Sequence, residues 1–317
     1  MRRWIDPFIV GLLCMLAAGL LLPIPESALA VPDVASDVAI FILFFLYGAR
    51  LPTRDVVAGL RNVRLQGTAL VVTFVLFPLL GLALSTAAEP LIGQTLASGV
   101  LYVSLLPSTV QSSVALVGVA RGNVAGAITS ATISNLLGMV LTPLLVLLLM
   151  HASGSTGSSG VRSVLVLLLL PFILGQLLQP LIGGFVRSQK RLTTIWDRGT
   201  ILLVVLVAVA TATASGVWST VSAGSLVGVV VVSAVMLSAA LAATWWGGRA
   251  LGLSIEDRIA LLMCGSQKSL ATGLPMLAAL FAPAIAGPIA VPVIVFHQLQ
   301  LIVSSALARR LARRPAS

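Results

Sequence analysis

Long apolar runs dominate this chain, and short polar or charged stretches separate them. The hydrocarbon core of a bilayer is about 30 Å thick, so a helix that crosses it needs about 20 mostly apolar residues. The spacing of the polar stretches predicts ten such helices. They are predicted over residues 7–24, 35–50, 67–87, 92–119, 123–150, 163–186, 199–216, 223–247, 259–281 and 287–308. The pattern thus predicts an all-α, polytopic membrane protein.

The distribution of basic residues supports this number of helices. With ten crossings the loops alternate between two sides, and 17 arginines and lysines fall on one side while only Arg162 falls on the other. Loops rich in lysine and arginine stay in the cytoplasm. Both termini are therefore predicted to be cytoplasmic, whereas nine or eleven crossings would scatter the charges over both faces.

The fourth and ninth predicted helices each contain a polar patch that does not suit a continuous helix. The patches, 105–113 (LLPSTVQSS) and 261–269 (LLMCGSQKS), align without a gap at an offset of 156 residues. Pro107 lacks a backbone donor and Gly265 is a flexible point, so both helices are predicted to be discontinuous there. Lipid cannot hydrogen-bond an interrupted backbone, and matching interruptions in two halves of a chain indicate the binding site of a transporter.

Five helices lie on each side of the Gly/Ser-rich stretch 153–160. Because five is an odd number, the second set enters the membrane with the opposite orientation to the first. We therefore expect one membrane domain over residues 1–317, with a first inverted repeat at 1–152, a flexible linker at 153–160 and a second repeat at 161–317.

Composition excludes several other classes of protein. The chain is 58% hydrophobic and 9% charged, whereas soluble proteins have about 25% charged residues. The net charge of +10 does not indicate nucleic-acid binding, because the basic residues are dispersed among short loops. Cys14 and Cys264 both lie in apolar runs, so no disulfide framework is expected. No phosphate-binding loop, cofactor motif or metal site is predicted.

Lys268 is the one fixed charge predicted to lie deep in the membrane. It lies about ten residues from either end of the ninth predicted helix, so its stem cannot easily bring the ammonium to an interface. Ionisable residues at this depth are costly and indicate function. Two interpretations remain open: an anion site beside the ends of broken helices, which we favour, or a lysine that carries a proton.

Other polar residues complete the candidate site. Hydroxyl and amide groups of the two patches are predicted to bind substrate, together with Asn135 of the fifth helix and His297 of the tenth. The predicted substrate-binding residues are Gln111, Ser112, Ser113, Asn135, Gln267, Lys268, Ser269 and His297. The residues predicted to contact a coupling ion are Thr73, Thr132 and Ser266. His297 could couple proton movement to transport or simply hydrogen-bond between helices.

These residues also carry a resemblance to a known family. Ten predicted helices, residues 106–113 (LPSTVQSS), 120–123 (ARGN) and 265–269 (GSQKS) resemble the bile acid:sodium symporter family, and more narrowly its SBF-like branch. The resemblance covers essentially the whole chain. It implies a core domain from helices three to five and eight to ten, and a panel domain from helices one, two, six and seven. Substrate and ions would bind where helices four and nine cross.

The chain departs from that family at the sodium site. Sodium-coupled members carry a glutamate in the ninth helix where this chain has Met263, and a neutral asparagine where it has Lys268. Their fifth-helix hydroxyls align with Ala127 and Ala131. A hard cation requires oxygen ligands, so sodium coupling of that kind is not expected here.

The sequence therefore predicts a secondary active or facilitative transporter of a small organic anion, in a plasma or bacterial inner membrane. Sodium or protons remain candidate coupling ions. A sodium-coupled organic-anion symporter is the alternative, and a regulatory membrane protein without turnover is a weaker one. An intramembrane hydrolase would need a serine hydroxyl within about 3 Å of the lysine amine. Duplicated broken helices have no evident use in a hydrolase, so an enzyme is not predicted.

Overall fold

In a computed structural model, residues 7–22, 26–50, 62–150 and 164–314 of the chain are described, and their regular structure is helical throughout. Thirteen α-helices are found in these residues. They are α1 (Pro7–Leu21), α2 (Glu26–Arg50), α3 (Val63–Val71), α4 (Phe77–Ile92), α5 (Gln94–Leu105), α6 (Gln111–Val119), α7 (Val124–Leu149), α8 (Leu170–Ser188), α9 (Lys190–Ala214), α10 (Ala223–Ala250), α11 (Ile255–Ser266), α12 (Leu270–Leu280) and α13 (Pro283–Ala312). Short π-helical turns at Val72–Leu76 and Val164–Leu169 precede α4 and α8, and a 3₁₀ turn covers Val217–Thr220.

Seven helical segments of the described residues are long and apolar enough to cross a membrane. These segments are Pro32–Arg50, Val63–Ile92, Val124–Leu149, Val166–Ser188, Lys190–Ala214, Ala223–Ala250 and Ala284–Ala312. The all-helical membrane character predicted from the sequence is confirmed. The arrangement of ten crossings in two inverted repeats stays a prediction, because the remaining predicted crossings correspond to the short helix α1 and to two pairs of helices of 9–12 residues.

The described chain divides into two units. Unit 1 comprises Met1–Pro52, Leu149–Ser222 and Leu274–Val291, and unit 2 comprises Thr53–Leu148, Ala223–Gly273 and Pro292–Ser317. The predicted repeat boundaries and the predicted core and panel domains stay predictions. The predicted linker, residues 153–160, lies outside the described residues.

In unit 1, two glycines allow helices α2 and α8 to pack closely. A Cβ atom on Gly48 would clash with the carbonyl oxygen of Phe172, and one on Gly175 would clash with that of Phe45. Small residues at such contacts let the backbones of membrane helices approach each other. Arg50 then joins α2 to α9 through two hydrogen bonds to the carboxylate of Asp197, of 2.9 and 3.0 Å.

In unit 2, three helices begin at a shared carboxylate. Asn62 caps α3 by accepting a hydrogen bond from Leu65 N–H, and the Asn123 side chain accepts one from Gly126 N–H in the first turn of α7. Both asparagine side chains donate to Asp257 in the first turn of α11, at 2.8 and 2.7 Å. A capping side chain satisfies a backbone N–H that the helix leaves free, so one acidic residue fixes the start of three elements.

Two interruptions in unit 2 separate α5 from α6 and α11 from α12. The first leaves residues 106–110 unwound, and the second leaves only residues 267–269 unwound. Helix α11 continues through Gly265 and ends at Ser266, so the break follows the predicted glycine instead of coinciding with it. Gly265 is needed for packing, because a Cβ atom there would lie 2.8 Å from Thr244 Cγ2.

Candidate functional site

The ammonium of Lys268 lies inside unit 2, against main-chain oxygens. Lys268 is 2% exposed, and its Nζ donates to the carbonyl oxygens of Thr73, Ser104 and Leu106 at 3.0, 2.8 and 2.7 Å. Nζ also lies 4.0 Å from the centroid of the Phe77 ring, a cation–π distance. Three acceptors match the three N–H donors of an ammonium, whereas a neutral amine has only two, so the geometry favours the charged form.

The fold supplies this cradle of carbonyls from two irregular places in the backbone. Ser104 and Leu106 lie at the end of α5, where carbonyls have no partner within the helix and the helix dipole is negative. Thr73 lies in the π-helical turn Val72–Leu76, a kind of distortion that is frequent at functional sites. The buried ammonium therefore caps the end of a broken helix and links it to the helix before it.

Gln267 points its amide oxygen into a group of hydroxyls on the other interruption. Its Oε1 accepts hydrogen bonds from Thr109 and Ser112 at 2.8 Å and from Ser113 at 3.1 Å. Its Nε2 is buried and has no hydrogen-bond partner among the described residues. A buried polar atom without a partner is uncommon in a native protein, and it is the kind of atom to which a ligand binds.

Side chains of the next helices satisfy the unwound main chain at both interruptions. At the first, Ser108 N–H donates to Ser134 Oγ, and the Ser108 carbonyl accepts from the amide of Asn135; both partners are on α7. At the second, the N–H and the carbonyl of Lys268 pair with the carboxamide of Gln300 on α13. The same solution therefore appears twice in unit 2.

Hydrogen bonds also join the two interruptions to each other. Ser269 N–H donates to the Pro107 carbonyl at 2.8 Å, and Ser108 Oγ donates to the Cys264 carbonyl. Pro107 itself packs on Gly138, where a Cβ atom would lie 2.6 Å from the proline Cβ.

The structure brings most of the predicted site residues to these interruptions. Ser112, Ser113 and Gln267 share one hydrogen-bond cluster. The Asn135 side chain donates to an unwound carbonyl, and Lys268 and Ser269 form hydrogen bonds with their own unwound main-chain N–H groups. Thr73 takes part through its carbonyl and not through its hydroxyl.

Other predicted residues lie apart from this cluster. Gln111 opens α6 and is exposed, and neither it nor the half-buried Thr132 forms a hydrogen bond to the cluster within the described residues. Ser266 donates back to the Leu262 carbonyl of its own helix. His297 is half-buried and its Nδ1 lies 2.9 Å from Gln300 Nε2.

Sequence reasoning missed several residues of this site. Gln300 lies three residues after His297 on the same helix face, a spacing that could have indicated it. Phe77 and Ser104 had no such signal, because one contributes a ring face and the other a main-chain oxygen.

The positions that the family resemblance assigns to sodium ligands are apolar and packed together. Ala127, Ala131 and Met263 are fully buried in one hydrophobic cluster with Cys264. None of these three side chains carries an oxygen atom that could bind a hard cation.

Comparisons with known proteins agree with this description of a membrane protein. Residues 6–313 match the model of the SBF-like CPA transporter family. An uncharacterised protein of Pseudomonas aeruginosa is 43% identical over 311 residues, covering 98% of this chain and 93% of that protein. YfeH of Escherichia coli strain K12, a candidate symporter by its name, is 39% identical over 313 residues, with coverages of 98% and 94%.

A vertebrate relative extends the comparison. Sodium/bile acid cotransporter 7-A of Xenopus laevis is 29% identical over 321 residues, covering 96% of this chain and 90% of that protein. The family resemblance predicted from the interruptions is therefore confirmed. Since the family model spans almost the full length, the chain belongs to the SBF-like CPA transporter family.

Proposed function

We propose that this chain is a secondary transporter of a small organic anion. It works without sodium at the positions that the family resemblance assigns to sodium ligands. The observation that carries the proposal is the ammonium of Lys268, held on three carbonyls at the interrupted helix. In relatives that use sodium, a mobile cation would enter the crossing. Here the chain supplies its own cation, which is covalently attached and cannot leave.

The charge of Lys268 favours an anionic substrate. Carbonyl dipoles solvate an ammonium but do not cancel its charge, and the field of a charge is strong where the effective dielectric constant is low. The carboxylates described in unit 2 are those of Glu89, Glu256 and Asp257, which lie in terminal turns of their helices. An uncompensated positive charge at the interruption therefore attracts negative charge. Lys268 acts through its field in this proposal, because its N–H groups are already used.

Gln267 supports a direct contact with the substrate. Its oxygen accepts from three hydroxyls, and its Nε2 lacks an acceptor in the described structure. A carboxylate or sulfonate oxygen of the substrate is the kind of acceptor to which Gln267 Nε2 would donate. Ser112, which is only partly buried, and His297 are the further polar residues that we propose at this site.

We also propose the finer architecture predicted from the sequence. The ten crossings would be the seven long segments, α1 and the two interrupted pairs, with both termini in the cytoplasm. Residues 1–152 and 161–317 would form inverted repeats, and core and panel domains would alternate access to the site. The function proposed is transport and not catalysis.

Thermal stability of the purified full-length protein tests the proposal. Cholate and benzoate serve as probe anions, each in sodium and in potassium buffer, on wild type and on Lys268→Met. An anion at 100 times its Kd raises the free energy of unfolding by about 2.7 kcal/mol. We expect a rise in melting temperature with at least one probe that does not require sodium and that Lys268→Met abolishes.

The chain offers a matched control, because Lys190 is its other lysine and is exposed at the start of α9. Lys190→Met is expected to respond like wild type. A response that requires sodium and survives in Lys268→Met would support the sodium-coupled symporter instead. If Lys268→Met does not fold, uptake of the responding anion into liposomes with sodium or potassium decides the question.

A further inference from the structure

Gln300 has a fixed amide orientation because it pairs with both main-chain groups of one residue. It is fully buried on α13, its Oε1 accepts from Lys268 N–H at 2.7 Å, and its Nε2 donates to the Lys268 carbonyl at 2.8 Å. Turning the amide over would set its NH₂ group against an N–H and its oxygen against a carbonyl oxygen. The usual ambiguity between the oxygen and nitrogen of a glutamine is therefore removed here.

The second N–H of Gln300 determines the state of His297. The two residues are three apart on one helix and face the same side, and Gln300 Nε2 lies 2.9 Å from His297 Nδ1. An amide nitrogen only donates, so Nδ1 has to present its lone pair. A neutral imidazole with a bare Nδ1 carries its proton on Nε2.

The opposite tautomer has a competing acceptor but a poorer fit. The main chain of Lys268 also interacts with the His297 ring, so its carbonyl is an acceptor to which a ring N–H could be directed. A proton on Nδ1 would then face the NH₂ group of Gln300, 2.9 Å away. Two donors would oppose each other in a buried place, which is costly.

We propose that Gln300 is a positioning residue: it hydrogen-bonds both main-chain groups of the unwound residue Lys268 and thereby holds His297 as the tautomer protonated on Nε2. In this tautomer Nε2–H is the one N–H donor of the neutral ring. The next step rests on the proposed function: His297 Nε2–H donates a hydrogen bond to the transported anion. His297 then serves as a donor and not as a proton carrier, and its tautomer depends on the conformation of the interruption.

Nitrogen NMR of the full-length protein tests the assignment, with ¹⁵N in the histidine rings. The chain has two histidines, and the second, His151, is removed with His151→Ala to identify the signals of His297. At neutral pH we expect one species with a protonated Nε2 and a bare Nδ1. Gln300→Glu replaces the donor by an acceptor, so Nδ1 is expected to become protonated. Gln300→Leu removes the donor without adding charge, and the single-tautomer pattern is expected to be lost.

Gln298→Leu is the matched control, since Gln298 is adjacent to His297 but is not bonded to its ring, and it should keep the wild-type pattern. A wild-type spectrum with Nδ1 protonated would overturn the proposal. An unchanged spectrum in Gln300→Leu would overturn it as well. If the Gln300 variants do not fold, the wild-type spectrum alone decides. The readout needs no substrate, so failure to observe anion transport would count against the proposed function only.

Discussion

At the scale of single residues, Lys268 illustrates how a costly charge is accommodated. A buried ammonium without a carboxylate partner is expensive. Here it replaces its water shell with three carbonyls and the face of Phe77, a set that matches the three N–H groups of an ammonium. The cradle therefore selects the shape of lysine as well as its charge.

Lys268→Arg tests this selection of shape. A guanidinium is planar, larger and has five donors, so it cannot reproduce three bonds from one nitrogen. We expect the variant to lose about 1–3 kcal/mol of stability, as overpacked buried sites do. The melting temperature of the purified protein measures it, with the exposed Lys190→Arg as a control that should not change. Equal melting temperatures for Lys268→Arg and wild type would show that charge alone matters.

Sequence patterns located Lys268 but not its contacts. An isolated lysine in an apolar helix stands out in any sequence, whereas its partners Thr73, Ser104 and Leu106 act through main-chain oxygens that every residue has. A pattern of side chains therefore indicates that a buried charge needs partners, and only the folded backbone reveals which atoms they are.

At the scale of elements, the patches indicate that two helices are interrupted but not the residues at which each helix ends. The first halves of the interrupted helices end at Leu105 and Ser266, which are 161 residues apart, and not at the offset of 156 that aligns the two patches. As a result Gln111 and Gln267 are aligned in sequence, yet one opens a helix and is exposed while the other is unwound and buried. Identity between leucines in apolar runs is too common to fix a register.

The junction at Asp257 gives a prediction at this scale. In Asp257→Asn, an NH₂ group would replace one oxygen and face the amide of Asn62 or Asn123, and the charge-assisted hydrogen bonds would be lost. Such bonds contribute about 1.5–3 kcal/mol each, so we expect a clear fall in melting temperature.

Glu256→Gln is the natural control for Asp257→Asn. Glu256 is adjacent and acidic, but its side chain is 44% exposed and its ion pair with Arg314 is 3.3 Å long. Exposed pairs of this kind contribute about 0.2–1 kcal/mol. If both variants have the same melting temperature, the shared carboxylate does not stabilise the N-termini of the three helices.

At the scale of the whole molecule, hydropathy predicts the membrane class and the helical content with little ambiguity. A chain with so few charges and so many 20-residue apolar runs has no other way to satisfy its backbone in lipid. The number of crossings is harder, because an interrupted helix divides into pieces too short to be recognised by length.

Labelling of introduced cysteines tests the proposed ten crossings and their direction. In a Cys14→Ala background, Ser222→Cys should react with a membrane-impermeant maleimide on intact cells. Ser188→Cys should react only after permeabilisation, because basic loops stay in the cytoplasm. Both positions are exposed, and the remaining Cys264 is buried. Labelling of both on intact cells, or the reverse pattern, would contradict the orientation.

The hydrogen bonds between the two interruptions restrict how this part of the molecule can move. A hinge needs two parts that turn independently. Here Ser269 N–H is hydrogen-bonded to the Pro107 carbonyl, and Ser108 Oγ is hydrogen-bonded to the Cys264 carbonyl. Sliding one broken helix past the other would expose unpaired buried groups at about 1–3 kcal/mol each. The two interruptions are therefore a single piece: under the proposed transport, a solute bound to it would travel with both interruptions at once instead of passing between them.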